Sequence, residues 1–219
     1  MPMTRSAAVM LVAGLLSLPS HAESQGPQGP SYPCTKAQTD TEKAICGDAL
    51  LSALDLAMAR AYQALLAAQP SQDSAIRSAQ RDVITARDAC DADSACITQV
   101  LEKRISAMLA MTGTSGGKPK PGAYDAIPAN SEASLQVTLV DESAMTIDAA
   151  VVDSYSQHLC SMSGAVLGDP DNGGFVFVDN NDRPIAGAPI ITALDNLLVL
   201  RGGGSFCGTN VSWPMIWSR

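Results

Sequence analysis

The segment CTKAQTDTEKAIC, residues 34–46, and the shorter CDADSAC, residues 90–96, set four cysteines at the edges of helical sequence rather than inside it. Between them, Leu51, Leu54, Met58, Tyr62 and Leu65 recur at steps of three and four, which places them on one face of a helix that starts at Gly47-Asp48 and is stopped by Pro70. Ser71 is positioned to cap a second helix whose Ile76, Ala79, Val83, Ile84 and Arg87 share a side up to Cys90. Asp91 to Ser94 supply turn chemistry, and a third run carries Ile97, Val100, Leu101, Ile105 and Met108 on its apolar face. Upstream, Asp40 or Thr41 caps a short helical turn through Glu42 to Cys46. Two long helices joined by a tight Gln69-Pro70 turn must run antiparallel, so Cys46 and Cys90 meet at the far end, with Cys34 and Cys96 close by.

Four cysteines allow three pairings. Local bridges, Cys34 to Cys46 and Cys90 to Cys96, are preferred, and the crossed alternative joins Cys46 to Cys90 and Cys34 to Cys96. On one unbroken helix Cys90 and Cys96 would lie about 9 Å apart along the axis, beyond the roughly 7 Å a bridge tolerates between α-carbons. The local pattern therefore demands a real turn at Asp91 to Ser94. Either pattern stabilises by about 2–4 kcal/mol per bridge, chiefly through the freedom the unfolded chain loses.

Residues 1–22 have the shape of a secretory signal: Arg5 in a short basic start, an apolar run from Ala7 to Pro19, and the small residues Ser20 and Ala22 at the expected cleavage point. That run is short of the roughly 20 apolar residues of a membrane span, and no later apolar run is expected to cross a bilayer. A lipid-anchored start would need a cysteine after Leu11 to Gly14, where Leu15 stands. The expected compartment is the periplasm or the exterior. There, six cysteines form an even set of three bridges, the third joining Cys160 to Cys207. A zinc site is not indicated, because no C-x-x-C pair occurs and His21 precedes the cleavage point, leaving His158 alone. No cofactor is expected.

The chain carries 14 basic and 22 acidic residues, a net charge of −8, and the imbalance is uneven. Cys34 to Leu109 holds eight basic and ten acidic residues, whereas Asp125 to Arg219 holds three and eleven. Such a surface repels nucleic acid and anionic lipid and attracts a cationic protein. Residues 23–33 read as a disordered leader, 34–110 as the helical domain, and 111–131, with Thr-Gly-Thr-Ser-Gly-Gly-Lys-Pro-Lys-Pro-Gly, as a linker. In 132–219 the period changes to two: Leu135, Val137 and Leu139 alternate with polar neighbours, as do Met145, Ile147 and Ala149. Gly174 to Asp179, Ile190 to Leu194 and Leu197 to Leu200 are short apolar runs between turn residues. The expected fold class is α+β: a disulfide-stapled antiparallel helical hairpin with short flanking helices, then a small antiparallel β-domain of about six to eight strands.

The segments Cys34 to Cys46, Leu54-Asp55 with Tyr62, Gln80-Arg81, Arg87-Asp88-Ala89-Cys90, and Cys96 leading into Arg104 together resemble the LprI-type lysozyme-inhibitor family. The resemblance covers about Cys34 to Leu109. It implies a cysteine-bracketed helical module that binds protein, with C-type lysozyme as the expected partner. Val83 stands where the family usually has Trp. Cys160-Ser-Met-Ser-Gly164 and Gly203-Gly-Ser-Phe-Cys-Gly208 resemble tail domains attached to some of these modules, without fixing an activity.

Acidic side chains suit a basic partner such as C-type lysozyme, and Asp169, Asp171, Asp179 and Asp182 are the residues assigned to partner contact. The loop Asp169-Pro-Asp-Asn-Gly-Gly174 begins like an EF-hand, but its fifth position is Gly173, its twelfth is Asn180, and strands flank it. Two hairpin turns account for it better. Gly202-Gly-Gly-Ser205 lacks the Lys-Ser/Thr ending and following helix of a phosphate loop. Glu42 and the Arg87-Asp88 pair read as caps or ion pairs at an exposed helix end, contributing under about 1 kcal/mol. His158 has no nucleophile or orienting partner in sequence, so no catalytic residue is assigned. The reading is an exported, non-enzymatic protein-binding module, with an envelope structural or stress-related module as the alternative and a periplasmic hydrolase third.

Overall fold

A computed structural model describes residues 29–112, 117–127, 132–140, 145–152, 159–169, 174–203 and 215–219. It joins a helical domain with two disulfides to a closed antiparallel β-barrel, the two-part α+β layout expected. Residues 1–22, expected from sequence to be a secretory signal, fall outside the described residues.

Helix α1, Asp40–Gly47, is capped one residue earlier than expected, by Thr39. The Thr39 hydroxyl accepts from the Glu42 amide at 3.1 Å, and the Glu42 carboxylate accepts from the amides of Gln38 and Thr39 at 2.6 and 3.1 Å. This capping box satisfies orphan donors reciprocally, which neither Asp40 nor Thr41 can do. Thr41 is buried instead, and its hydroxyl donates to the Asp88 carbonyl at 3.3 Å. Helix α2, Ala49–Ala68, is capped by Asp48, which accepts from the Leu51 amide at 3.0 Å. A 3-10 turn, Pro70–Gln72, contains Ser71, and α3, Asp73–Asp88, then starts without a side-chain cap. Helix α4, Ser94–Thr112, begins on Asp93, whose carboxylate accepts from the amides of Ala95 and Cys96 at 3.0 and 3.1 Å.

The local disulfides are the ones formed: Cys34–Cys46 and Cys90–Cys96, each with α-carbons 5.7 Å apart. The break between α3 and α4 that the second bridge demands is present, with Asp91 at φ +50°. Helix α2 finds its main partner in α4, and α3 makes the smaller contacts. Leu51, Leu54, Met58 and Leu65 are buried in one core with Ile97, Leu101, Ile105 and Met108. On α3 only Ile76 and Arg87 are buried, and Val83 and Ile84 reach the core half-buried. Helix α2 is long and apolar enough by composition to cross a bilayer, unlike the expectation from sequence, but half of that stretch is buried inside the molecule.

Arg87 and Asp88 correct the exposed-pair reading. Arg87 is 5 % exposed and Asp55, on α2, 1 %. Arg87 Nη1 donates to Asp55 Oδ1 at 3.3 Å, while its Nε and Nη2 donate to Asp88 Oδ1 at 3.0 and 2.8 Å. The other oxygen of Asp55 accepts from the Ser31 amide and hydroxyl at 2.9 and 2.6 Å. Both charges are thus desolvated and mutually satisfied, a condition far costlier to break from one side than a surface pair. Burial, with the Asp55 charge second, pushes the neighbouring Tyr32 phenol up to about 12.

Eight strands close in chain order: β1 Gly122–Ile127, β2 Glu132–Leu139, β3 Met145–Val152, β4 Leu159–Asp169, β5 Gly174–Phe177, β6 Ile190–Leu194, β7 Leu197–Arg201 and β8 Ile216–Ser218. Closure falls on β1, whose first half pairs with β2 and second half with β8. This strand lies inside the stretch that composition assigns to a linker. The bore is packed with side chains, among them Tyr124, Val137, Ile147, Phe177, Leu198 and Trp217. Leu135 and Val137 point inward as expected, whereas Leu139 at the strand end is 48 % exposed. Gly174 must be glycine, because an added Cβ would lie 2.7 Å from the Ile191 carbonyl oxygen.

The barrel and helices share a core. Leu197 and Val199, alternating with inward Leu198 and Leu200, join Ile127, Leu194 and Ile216 in the apolar cluster of α2 and α4. Arg60 of α2 donates to the Leu194 carbonyl at 2.9 Å and to Asn196 Oδ1 at 2.6 Å, at the β6–β7 turn. The near-continuous apolar run Leu197 to Leu200 is thereby explained: that strand is buried on both faces. Cys160 is disulfide-bonded, and its expected partner Cys207 lies outside the described residues.

Arg87→Ala should lower the unfolding free energy by about 3–5 kcal/mol, because Asp55 is left buried without its counter-charge. The double change Asp55→Leu with Arg87→Met should recover most of the loss. Urea denaturation of the full chain followed by circular dichroism checks both.

Candidate functional site

The end of the helical domain that holds the disulfides also holds the starts of α2 and α4. Asp48 and Asp93 cap those starts, and between them opens a groove of about 780 Å³ lined also by Leu50, Leu51 and Cys96, one end of the Cys90–Cys96 bridge. Thr98 and Gln99, one helical turn beyond Ser94 and Ala95, and Glu102, two turns beyond them, line its α4 side. Among the described residues no lysine or arginine lines it. Three carboxylates therefore face one concavity without an internal counter-ion.

Two of the three are held rigidly. Asp48 and Asp93 accept from backbone amides and cannot swing away without uncapping a helix. Glu102 is different: half-buried, its carboxyl is raised above the usual 4.5 by desolvation. A group in that state gains from a cation brought beside it, because the partner restores what burial removed. The groove is thus an acidic concavity lined by Asp48, Asp93 and Glu102.

Of the aspartates assigned to partner contact, Asp169, Asp179 and Asp182 lie among the described residues. Asp169 pairs with Gly174 at the tip of the β4–β5 hairpin, while Phe177 pairs with Val166 and the chain then turns at Asp179. Along the strand this separates Asp169 from Asp179 by roughly 17 Å, at about 3.3 Å per residue. The second of the two expected turns is formed at Asp179–Arg183, and the first, 170–173, lies outside the described residues. Asp179 is engaged within its own turn, accepting from the amides of Asn181 and Arg183 at 2.8 and 3.1 Å and from the Arg183 guanidinium at 2.8 and 3.0 Å. The Arg183 contact, then those amides, hold its carboxyl below the usual range. Asp182 sits at φ +58° in the same turn. Asp171 and His158 lie outside the described residues. Gly202 and Gly203, at φ +74° and +79°, form a left-handed turn as glycines do.

Asp48, Asp93 and Glu102 escape a sequence reading as a site. Asp48 and Asp93 fall in recognisable start and turn signals, but nothing in the sequence says that the two helix starts are neighbours. The one available signal was the polar strip Thr98, Gln99 and Glu102, opposite the apolar face of α4.

Taken together, the fold defines a class: a small helical domain cross-linked at one end and buttressed by a packed β-barrel. Residues 34–117, the helical domain and the start of the connection after it, match the family model described as Lysozyme inhibitor LprI. The match ends before β1. No curated protein and no solved structure matches the chain.

Because the folded-state pKa of Glu102 is raised, the cost of its burial is absent below the unfolded value and fully present once pH rises above the folded one. Glu102→Gln should therefore increase stability at pH 7 and leave it unchanged at pH 4. Urea midpoints of the two proteins at the two pH values give the comparison.

Proposed function

We propose that the protein is an exported, non-catalytic binding protein of the cell envelope that inhibits a lysozyme. The acidic groove beside Cys90–Cys96 is its contact surface. The observation that carries this reading is the family match over the stapled helical domain, residues 34–117. Two features support it. The disulfides belong to an oxidising compartment such as the periplasm or the exterior. The groove presents carboxylates on a pre-set frame, and a surface ordered before binding loses little entropy when a partner docks.

C-type lysozyme is a basic protein, so its approach is accelerated by a negative field and its docking completed by short-range ion pairs. Asp169, Asp171, Asp179 and Asp182, the aspartates assigned to partner contact, add in this scheme to the negative field of the −8 chain. The alternative, an envelope structural or stress-related module, keeps the same groove and exchanges the partner.

The full-length mature chain titrated against C-type lysozyme should slow cell-wall lysis at near-stoichiometric ratios. Inhibition should weaken with added salt, because the steering term is screened over about 8–10 Å at physiological ionic strength. Gln99→Arg, which places a cation in the groove, should weaken inhibition by about tenfold or more. Full lytic activity at micromolar inhibitor overturns the reading. Inhibition indifferent to Gln99→Arg overturns the groove assignment alone.

A further inference from the structure

The two disulfides of the helical domain sit in unlike surroundings. Cys34 is exposed in the 3-10 turn Cys34–Lys36, and its partner Cys46, near the end of α1, is half-buried. The loop between them carries Lys36 and Lys43 against Asp40 and Glu42, so its charges balance. Cys90 is 7 % exposed, and its sulfur lies 3.7 Å from the Ala86 carbonyl oxygen. Its partner Cys96 lines the acidic groove with Asp48, Asp93 and Glu102, and the loop closed by this second bridge holds Asp91 and Asp93 and no cation.

The exposed bridge also fastens a strap. Residues 29–33, read from sequence as part of a disordered leader, lie against the helical domain. Ser31 donates both its amide and its hydroxyl to Asp55 Oδ2, at 2.9 and 2.6 Å. The Tyr32 hydroxyl donates to the Glu42 carbonyl at 3.1 Å, and its ring packs on the helical core. Cys34 follows one residue after Pro33, and its bridge ties the strap to the last turn of α1. Two donors to the buried Asp55 therefore come from a short segment that one surface disulfide pins in place.

We propose that Cys34–Cys46 is a reducible latch: a protein dithiol opens it while Cys90–Cys96 stays closed, and opening frees the strap from Asp55. A thiolate of the dithiol attacks Cys34 Sγ, the sulfur–sulfur bond breaks, and Cys46 leaves as a thiolate that takes a proton from water. The second thiol of the reductant then displaces Cys34 from the mixed disulfide. Two electrons pass to the protein, which ends with two thiols, and the dithiol ends as a disulfide. Exchange of this kind needs access to a sulfur and a leaving thiolate that the site can hold. At Cys96 the attacking anion meets three carboxylates, and the Cys90 thiolate it would expel is shut away from water beside a carbonyl oxygen. Neither obstacle exists at Cys34. Once the bridge is open, a cross-link of sequence separation 12 no longer limits the strap, and its few hydrogen bonds must hold it alone. The proposal is independent of the lysozyme reading, because it is read from sulfur chemistry and strap mobility.

The test treats the full chain with limiting dithiothreitol, quenches with iodoacetamide, maps the alkylated cysteines by mass spectrometry, and follows the Ser31 amide by NMR hydrogen exchange. Cys34 and Cys46 should be alkylated about tenfold faster than Cys90 and Cys96, or more. With the first bridge open, the Ser31 amide should exchange about tenfold faster while the Leu101 amide of α4 is unchanged. The double variant Cys34→Ser with Cys46→Ser should show the same fast Ser31 exchange without reductant. Equal labelling of the two bridges, earlier labelling of Cys90 and Cys96, or a Ser31 amide equally protected with the latch open and closed would each overturn the proposal.

Discussion

A guanidinium and a carboxylate that have both left water fix the helical domain. The Arg87–Asp55 pair joins the last turn of α3 to the first turns of α2, and Asp55 reaches on to Ser31 in the leader segment. Asp88 adds a link to α1 through Thr41. The pair contributes little net energy against an apolar replacement, but it penalises any arrangement in which one charge is stranded. It therefore acts on register. The two disulfides close loops around the same end, so that three helices and the leader are specified together.

What this end specifies is the relation between two helix starts. Asp48 and Asp93 each do a local task, satisfying orphan amides, and their carboxylates face a common concavity only because α2 and α4 pack side by side. The barrel supports that packing from the other side. Ile127, Leu194, Leu197, Val199 and Ile216 complete the apolar cluster of the helices, and Arg60 fastens α2 to the β6–β7 turn. A Gly- and Pro-rich connection does not here mean a loose tether.

Much of this was legible from the sequence because it is local. The four helix-edge cysteines, the turn that a Cys90–Cys96 bridge requires, and the change of period after residue 131 are all settled within short stretches. The rest depended on neighbours distant in the chain. Periodicity told that Leu54 and Met58 are buried but not that α4, rather than α3, covers them. Arg87-Asp88 reads the same exposed or buried, since its counter-charge lies on another helix. β1 was hidden by linker composition and β8 by its length of three residues. The acidic groove was invisible for the same reason: its residues come from two helix starts 45 positions apart.

Hydrogen exchange measured by mass spectrometry on the full chain, alone and with C-type lysozyme, tests the account most directly. Slower exchange confined to the α1–α2 junction and the first turns of α4, about residues 47–51 and 93–102, is the predicted result. Protection appearing on the β4–β5 and β5–β6 turns while those helix starts exchange unchanged would contradict it.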